Sequence, residues 1–469
     1  MEQIETWLLC LLRKAGIQPT QSEIDYFESS LAKKMWDKVM GERMDKKLII
    51  KNAVEGANIY LPNGRVGEDY YTEVQFDIEG VKEYRIEGLE KVGLTYEKRP
   101  GGFVVKGTAM PEGEEGKKGG DFPLRLVYTT AEDFEEEAEM ERKLTLILNP
   151  DPRTLWKNIP TPTNIRYPKA DSDKDYVKVP EVNGEARKDI VAASQRGRSH
   201  AHEGKPRDDD FKIRYCEESD WYVIAVADGA GSAQYSRRGS EIACNTVMEH
   251  CSRMLSESMD FDNYIRAYKE SQTPEAWKDV SDYVYRLLGA AAHKAHNAIK
   301  AEAEGAQDPK IKMRDYSTTL LLAVSKKFEF GWVVASFWVG DGAICVYDQK
   351  NHRAEMLGMP DEGEYAGQTR FLTMPEIFSD TKALYGRLRF KIYEDFTALM
   401  LMTDGVSDPK FTTDANLQNV DKWDALWADL KENGVELTDD NEAVQDQLLE
   451  WLNFWDRGNH DDRTIAILY

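Results

Sequence analysis

Aspartates follow apolar runs at three places in this chain, and glycine comes directly after each of them. The three are Asp228 after Trp221–Ala227, Asp341 after 337–340, and Asp404 after 398–403. An acidic pair, Asp461 and Asp462, precedes the last apolar run. A single Asp-Gly pair is typical of a hairpin turn. Several carboxylates gathered from strand ends onto one sheet edge instead favour a site for two hard divalent ions, the geometry of phosphoester hydrolysis.

The ligand types indicate which ions and which reaction fit such a site. Oxygen ligands alone favour Mg²⁺ or Mn²⁺, whereas Zn²⁺ more often recruits histidine or cysteine. Free carboxylates repel a phosphomonoester dianion, so bound cations must first reverse the local field. Water held between two such ions loses a proton readily and attacks phosphorus in line. The sequence contains no Cys-x5-Arg loop that would supply a protein nucleophile.

The composition indicates a globular protein with an acidic surface. Of 469 residues, 41% are hydrophobic and 31% are charged, and the formal net charge is −23. Such a surface repels nucleic acid and anionic membranes, so we expect neither as a partner. The five cysteines are scattered and form no Cys-x-x-Cys pair, which favours buried thiols in a reducing cytosol. No apolar run is long enough to span a bilayer, and we therefore expect a cytoplasmic protein.

Changes of pattern divide the chain into four segments. Residues 1–50 show apolar residues at helical spacing and predict a helical N-terminal segment. Residues 51–148 show short alternating runs between Gly- and Pro-containing turns, which predicts strands. Residues 149–187 are rich in Pro, Asp and Lys and indicate a linker. In residues 188–469, strands alternate with long helices, and several strands follow one another by turns alone, which favours antiparallel sheets in an α+β fold.

The segment 51–148 resembles the bacterial immunoglobulin-like modules. The matching residues are Asn63-Gly64-Arg65-Val66-Gly67-x-x-Tyr70, Gly88-Leu89, Val105-Lys106-Gly107-Thr108 and Gly120-Asp121-Phe122-x-Leu124. The resemblance implies an all-β sandwich that serves interaction with a protein partner or spacing, and not chemistry.

The segment 188–469 resembles the metal-dependent Ser/Thr protein phosphatases, the PPM or type-2C family, in its bacterial branch. Its motifs occur in the family's order: Ser194-Gln195-Arg196-Gly197-Arg198-Ser199-His200 with Gly204-Lys205-Pro206-Arg207-Asp208-Asp209, Asp228-Gly229-Ala230-Gly231-Ser232, Ser317-Thr318-Thr319, Val339-Gly340-Asp341-Gly342, Thr403-Asp404-Gly405-Val406-x-Asp408, and Gly458-Asn459-His460-Asp461-Asp462-Arg463-Thr464. The resemblance implies two antiparallel sheets packed face to face and flanked by helices. It also implies hydrolysis of phosphoserine and phosphothreonine in proteins.

The resemblance further implies a set of metal ligands. Asp228 would bridge two Mg²⁺ or Mn²⁺ ions, with the Gly229 carbonyl as a further ligand. Asp404 and Asp461 would complete the shell of one ion. The remaining implied ligands are Asp208 or Asp209 for the other ion, directly or through water, and Asp341 for a third, weaker ion.

The same resemblance places basic side chains and an acid near the substrate. Arg196 or His200 would face the substrate phosphate, and arginine suits this contact because its planar fork pairs two oxygens. Asp209 is also counted among the catalytic residues. His200 and His460 are the candidates for protonating the leaving group.

Three residues depart from the family pattern. Ala230 stands where many eukaryotic members carry a proposed general acid, and Gly342 replaces a serine. Asp462 replaces an asparagine and leaves open which of Asp461 and Asp462 is the ligand. No metal carboxylate is lost, so we expect an active enzyme. The alternative is a non-catalytic scaffold that binds phosphoprotein or metal through the same fold.

Overall fold

The computed structural model describes residues 12, 14–113, 118–130, 139–182, 184–361, 369–439 and 441–469. The chain divides into two compact units, Met1–Leu155 and Trp156–Tyr469. The beginning of the predicted helical segment, residues 1–11, lies outside the described residues. No helix in the described ranges is both long and apolar enough to cross a membrane.

Two helices begin the described part of the first unit, α1 (Gln21–Ser29) and α2 (Leu31–Gly56). Helix α2 continues past the predicted boundary at residue 50. The reason is packing, because Ile50 and Val54 near its end are buried in the core formed by the strands that follow.

Seven strands form two sheets in the described part of the first unit. They are β1 (Gly64–Arg65), β2 (Asp69–Gln75), β3 (Val81–Glu87), β4 (Thr95–Arg99), β5 (Gly102–Thr108), β6 (Gly120–Thr130) and β7 (Met140–Asn149), followed by a short helix α3 (Pro152–Leu155). The sheet orders are β1-β7-β6-β3 and β2-β5-β4. Leu146 of one sheet and Phe103 of the other belong to the same core. The β-rich character predicted for 51–148 is therefore present, and its likeness to an immunoglobulin module stays a prediction.

Eleven strands form two fully antiparallel sheets in the described part of the second unit. They are β8 (Ser172–Val177), β9 (Ile190–Gln195), β10 (Asp210–Cys216), β11 (Trp221–Ala227), β12 (Leu320–Phe328), β13 (Gly331–Val339), β14 (Ala343–Asp348), β15 (Arg353–Gly358), β16 (Leu388–Tyr393), β17 (Ala398–Met402) and β18 (Arg463–Leu468). The sheet orders are β10-β11-β12-β13-β16 and β15-β14-β17-β18-β9-β8.

Helices lie between these strands in the sequence, and most of them cover the outer faces of the two sheets. They are α4 (Arg198–Glu203), α5 (Ser236–Glu257), α6 (Asp260–Ser271), α7 (Pro274–Val284), α8 (Ala290–Glu304), α9 (Thr381–Gly386), α10 (Asp404–Phe411), α11 (Val420–Glu432) and α12 (Val444–Trp451), with one π-helical turn at Tyr285–Gly289. Strand β11 is buried along its whole length, because Ile224 faces the other sheet while Val223 faces the helices. The predicted α+β class with antiparallel sheets is confirmed.

The segment predicted as a linker contains strand β8. This strand pairs antiparallel with β9 at the edge of its sheet, with Asp173 opposite Ser194. Its sequence Ser-Asp-Lys-Asp-Tyr-Val is mostly polar, as is common for an edge strand that faces water. Polar composition therefore conceals a strand here, and residues 156–187 belong to the second unit.

Candidate metal centre

The predicted ligands all lie at one end of the second unit's sandwich. Strands β11, β13 and β17 run toward this end, and Asp228, Asp341 and Asp404 follow them. Strands β10 and β18 start at the same end, directly after 208–209 and 461–462. Antiparallel pairing thus gathers residues that are far apart in the sequence.

Three of the carboxylates approach one another closely. One oxygen each from Asp228, Asp341 and Asp404 lies within 4.8 Å of the other two. Oxygen Oδ2 of Asp341 accepts a hydrogen bond from Thr369, whereas the buried Oδ1 atoms of Asp341 and Asp404 have no hydrogen-bond donor among the described residues. Buried carboxylate oxygens without a donor are costly in a protein interior. Their convergence fits a site for hard divalent cations.

Asp208 and Asp209 add two more buried carboxylates, each with one oxygen that lacks a hydrogen-bond donor among the described residues. Asp209 is fully buried, and its Oδ2 accepts hydrogen bonds from Thr403 at 3.0 Å and Thr464 at 2.6 Å. Its Oδ1, like Oδ1 of Asp208, is buried without a donor in the part of the chain that the structure describes. Each residue thus presents one oxygen without a hydrogen-bond donor in the described structure, although Arg237 lies 3.9 Å from that of Asp208, and the donor set again fits a cation.

The electrostatics reflect this crowding of acids. Burial, and then the charges of Asp209 and Asp404, hold the pKa of Asp228 well above its usual range. Burial, followed by Asp341 and Asp461, does the same for the pKa of Asp404. Burial and the charge of Asp462 raise the pKa of Asp208 to about 6. The metal-free site therefore favours protonation, and a bound cation would favour the charged forms.

The two acids of the terminal pair have different surroundings. Asp462 accepts hydrogen bonds from the backbone N–H groups of Gly197 at 2.6 Å and Asp208 at 2.5 Å, and from Nδ1 of His200 at 3.0 Å. Despite its burial, these bonds and the His200 charge lower the pKa of Asp462. Asp461 accepts only the backbone N–H of Asp462 in the described structure, so it keeps oxygens available for a cation. This geometry favours Asp461 as the ligand.

His200 is an imidazole surrounded by carboxylates. Its Nδ1 donates a hydrogen bond to Asp462, and its Nε2 lies 3.8 Å from a carboxylate oxygen of Asp208. Burial alone would lower the pKa of His200, but the hydrogen bond to Asp462 and the charges of Asp462, Asp208 and Asp461 raise it to about 9. His200 is therefore cationic at neutral pH, with a proton on each ring nitrogen.

Arg196, expected at the substrate phosphate, points elsewhere. Its guanidinium donates to Asn158, Thr161 and the Lys205 carbonyl and pairs with Asp171 at 3.0 Å. These contacts do not favour a position at the substrate phosphate, which stays a prediction. The partners lie mostly in the segment predicted as a linker, and no sequence pattern indicates that they surround Arg196.

His460 is also placed differently from His200. Its ring packs against Trp156 at 4.4 Å and Trp455 at 5.1 Å between centroids. Burial and the nearby Arg463 and Arg198 lower its pKa. A neutral, ring-stacked histidine is the weaker of the two candidates for a proton donor.

Two glycines let the backbone close around the ligands. A Cβ atom on Gly229 would lie 2.6 Å from the carbonyl oxygen of Asp208, and one on Gly405 would lie 1.8 Å from that of Asp462. The Asp-Gly pairs therefore serve close approach of neighbouring ligand segments, which explains why glycine follows Asp228 and Asp404.

Three further residues near the site received no role from the sequence. The hydroxyls of Thr403 and Thr464 orient Asp209, and both stand beside predicted ligands in their motifs. Burial and the charge of Asp341 raise the pKa of Asp408 to about 6. A hydroxyl or acid next to a metal-ligand motif is the signal that could have found them.

The sequence profile described as Protein phosphatase 2C matches residues 196–453, more than half of the chain. The chain belongs to the Protein phosphatase 2C family. This confirms the family predicted from the motifs and makes a protein phosphatase the expected enzyme class. No curated protein matches the sequence.

Solved structures similar to this chain include several bacterial phosphatases. One described as a bacterial serine phosphatase is 13% identical, with a TM-score of 0.35, covering 60% of this chain and 96% of its own. The serine/threonine phosphatase Stp1 from Staphylococcus aureus is 14% identical, with a TM-score of 0.35 and coverage of 62% and 98%. The Mycobacterium tuberculosis phosphatase PstP/Ppp is 13% identical, with a TM-score of 0.34 and coverage of 60% and 98%. These structural similarities are too weak to support a functional conclusion, and the family assignment rests on the sequence profile.

The acid cluster predicts an unusual pH dependence of stability in the metal-free protein. Asp208, Asp408 and His200 have raised pKa values in the folded state, so the folded protein binds more protons than the unfolded chain. Their contribution to the free energy of unfolding is complete at low pH. It is lost as pH rises through about 6 for the two acids and about 9 for His200. Each pKa unit corresponds to about 1.4 kcal/mol.

We therefore expect the melting temperature in EDTA to fall by several degrees between pH 5 and pH 9. Scanning calorimetry across this range measures it, and saturating Mn²⁺ at pH 8 should reverse the fall. The His200→Gln variant should show a shallower decline above pH 7. A melting temperature that rises with pH in EDTA would contradict this electrostatic description.

Proposed function

We propose that this chain hydrolyses phosphoserine and phosphothreonine esters in proteins, using Mg²⁺ or Mn²⁺ held at the ligand-bearing end of the second unit's sandwich. One observation carries the proposal. Asp228, Asp341 and Asp404 converge within 4.8 Å, and buried oxygens among the site's acids lack donors in the described structure. Membership of the Protein phosphatase 2C family supports the same reaction.

The carboxylates are proposed to hold two ions, and a third more weakly. Asp228 would contact both of the first two, with the Gly229 carbonyl as a further ligand, Asp404 and Asp461 would bind one of them, and Asp208 or Asp209 would bind the other, directly or through water. Asp341 would bind the third. Divalent cations held there supply positive charge that attracts the phosphoester dianion and promotes deprotonation of water.

The chain's own side chains are proposed to orient Asp209 and His200 and to protonate the leaving group. The hydroxyls of Thr403 and Thr464 fix one oxygen of Asp209, so that its other oxygen keeps a constant direction. Asp462 holds His200 through Nδ1 and favours its cationic form. We propose that His200 faces the substrate and that its Nε2 proton passes to the departing serine or threonine oxygen. This would replace the general acid that Ala230 cannot supply.

The first unit is proposed to be an interaction module of the immunoglobulin-like type that contacts a protein partner. Two sheets that share one core support it. A cytoplasmic location, and the expectation that neither nucleic acid nor membrane is a partner, remain predictions from composition.

The direct test is hydrolysis of a phosphothreonine peptide and of p-nitrophenyl phosphate by the full chain. We expect turnover with Mn²⁺ or Mg²⁺ and none in excess EDTA, because the uncompensated carboxylates repel the substrate. The matched control is Asp421→Asn. Asp421 is an exposed acid that lies near His352 and Asp424 and outside the proposed site, so this variant should keep full activity.

The outcome also decides between an enzyme and the non-catalytic scaffold. Tight Mn²⁺ binding by calorimetry without turnover on a broad phosphopeptide panel would favour the scaffold. Metal-independent turnover would reject the proposed mechanism. Hydrolysis of p-nitrophenyl phosphate but of no phosphopeptide would point to a small-molecule substrate instead.

A further inference from the structure

A segment that precedes strand β8 wraps over the second unit, and a buried arginine binds it. Residues 156–171 are here called the strap. The side chain of Arg196 is only 2% exposed, and its Nη2 donates to Asn158 at 2.8 Å and pairs with Asp171 at 3.0 Å. Its Nη1 donates to the hydroxyl of Thr161. The guanidinium is therefore directed into the strap by three of the strap's side chains.

Two more arginines hold the rest of the strap through its backbone. Arg237, on α5, donates to the carbonyl oxygens of Arg166 and Tyr167, both at 2.7 Å. Arg207, only 1% exposed, donates from Nε to the carbonyl of Ala170 at 3.3 Å. Charged donors on buried side chains form the stronger class of hydrogen bond, so the strap is fixed at several points along its length.

The other end of the strap touches the segments that carry site residues. The ring of Trp156 lies 4.4 Å from that of His460 and 5.3 Å from that of His202. The backbone N–H of Ile159 donates to the carbonyl of Ala201 at 2.8 Å. His202 and Ala201 lie on α4, and His460 directly precedes Asp461.

A displacement of the strap would therefore reach the catalytic centre by two routes. One runs through α4 to His200, and the other runs through His460 to Asp461. The two routes meet at Asp462, which binds both His200 and the N–H of Gly197, the residue that follows Arg196. The strap, Arg196 and His200 are thus connected through hydrogen bonds, ring contacts and the backbone.

We propose that the strap is a positioning element of the catalytic centre and that Arg196 is its clamp, not a ligand of the substrate phosphate. The inference rests on the proposed phosphatase function. The strap contacts would orient His200 and Asp461. His200 stays the proposed cation at the substrate.

The test disrupts the contact between Arg196 and the strap by substitutions on either side of it, in the full chain. Asn158→Ala combined with Thr161→Val removes two of the strap's three acceptors and leaves Asp171, and Arg196→Gln removes the clamp. We expect each to lower kcat on the phosphopeptide and on p-nitrophenyl phosphate about tenfold, because small misplacements of catalytic groups are costly. KM should change less than twofold. All three substitutions together should lower kcat no further than Arg196→Gln alone, since the strap acceptors act through Arg196.

Two control variants separate positioning from general destabilisation. Thr161→Ser keeps the hydroxyl and should keep activity. Arg187→Gln breaks a buried ion pair with Asp220, of length 2.9 Å, in the turn between β10 and β11. That turn lies at the opposite end of β11 from Asp228, so Arg187→Gln should lower the melting temperature but not kcat. Melting curves for every variant show whether it is folded under the assay conditions.

A strap variant with normal kcat, together with a strong rise of KM in Arg196→Gln, would overturn the proposal and return Arg196 to the phosphate. If the wild-type chain has no turnover, the proposed function fails separately. Mn²⁺ titration calorimetry then tests the strap. Weaker Mn²⁺ binding in the strap variant than in Arg187→Gln supports the positioning role, and equal binding rejects it.

Discussion

Replacing Asp228 by asparagine is expected to abolish metal-dependent hydrolysis while making the metal-free protein more stable. The two effects have one cause. Asp228 lies within 4.8 Å of Asp341 and Asp404, and burial, followed by the charges of Asp209 and Asp404, holds its pKa well above the usual range. Asparagine removes that repulsion and also removes the ligand proposed to bridge two ions. Loss of function and gain of stability at the same position are typical of a preorganised, electrostatically strained site.

The expected sizes follow from the chemistry. Loss of one preorganised electrostatic group in an active site costs about 10²–10³ in kcat, and we expect at least this loss. Relief of the repulsion by Asp209 and Asp404 should raise the melting temperature of the metal-free protein at pH 8 in EDTA. Phosphopeptide hydrolysis and scanning calorimetry measure the two effects.

The matched control is again Asp421→Asn, which removes an exposed acid from a cluster outside the site. It should change neither kcat nor the metal-free melting temperature. Mn²⁺ should raise the melting temperature of the wild type and of Asp421→Asn, and it should have little effect on the melting temperature of Asp228→Asn. Full turnover by Asp228→Asn would falsify the assignment of this end of the sandwich as the catalytic centre.

The convergence of the aspartates could be predicted because its signals are local. Each apolar run that ends in Asp-Gly predicts a buried strand and a ligand at its end, and antiparallel pairing brings such ends together. Whether Asp461 or Asp462 is the ligand could not be predicted, since the answer depends on donors from Gly197, Asp208 and His200. Those donors come from a part of the chain that is distant in sequence.

The aspartate at position 462 has a partner, His200, that could be recognised only from the fold. An aspartate in place of the family's asparagine adds a negative charge to a centre that is already acidic. His200 contacts this charge at 3.0 Å, and its pKa rises to about 9, so the pair adds no net charge at neutral pH. The acid at 462 and the histidine at 200 are thus best understood as one pair.

The contacts of Arg196 could not be predicted because its partners have no recognisable pattern. Asn158, Thr161 and Asp171 lie in a stretch whose prolines and polar residues indicate a linker. Composition reports local preference, and it cannot report that three buried arginines from other elements bind this stretch. The same limitation concealed strand β8, which gains its stability from pairing with β9.

The boundary of the second unit gives the other prediction with a large effect. A chain of residues 188–469 begins at the limit that the sequence suggests, and we expect it to be inactive and largely unfolded. A chain of residues 156–469 should fold and keep the activity of the full protein. Circular dichroism melting curves and Mn²⁺-dependent hydrolysis compare the two.

The difference follows from the contacts that the shorter chain loses. It lacks β8, which exposes one edge of β9, and it lacks the strap partners of Arg196, Arg207 and Arg237. A buried donor left without a partner costs about 1–3 kcal/mol, and more when charged. Three such arginines together approach the 5–15 kcal/mol by which a typical domain is stable.

A chain of residues 172–469 separates the two contributions, because it keeps β8 and loses only the strap. We expect it to melt between the other two and to lose kcat more than stability, since the strap contacts α4 and the loop before Asp461 directly. If 188–469 instead hydrolyses phosphopeptide as fast as the full chain, then neither β8 nor the strap contributes to the site. The donors on Arg196, Arg207 and Arg237 would in that case have to find water or other partners at no cost, contrary to their burial.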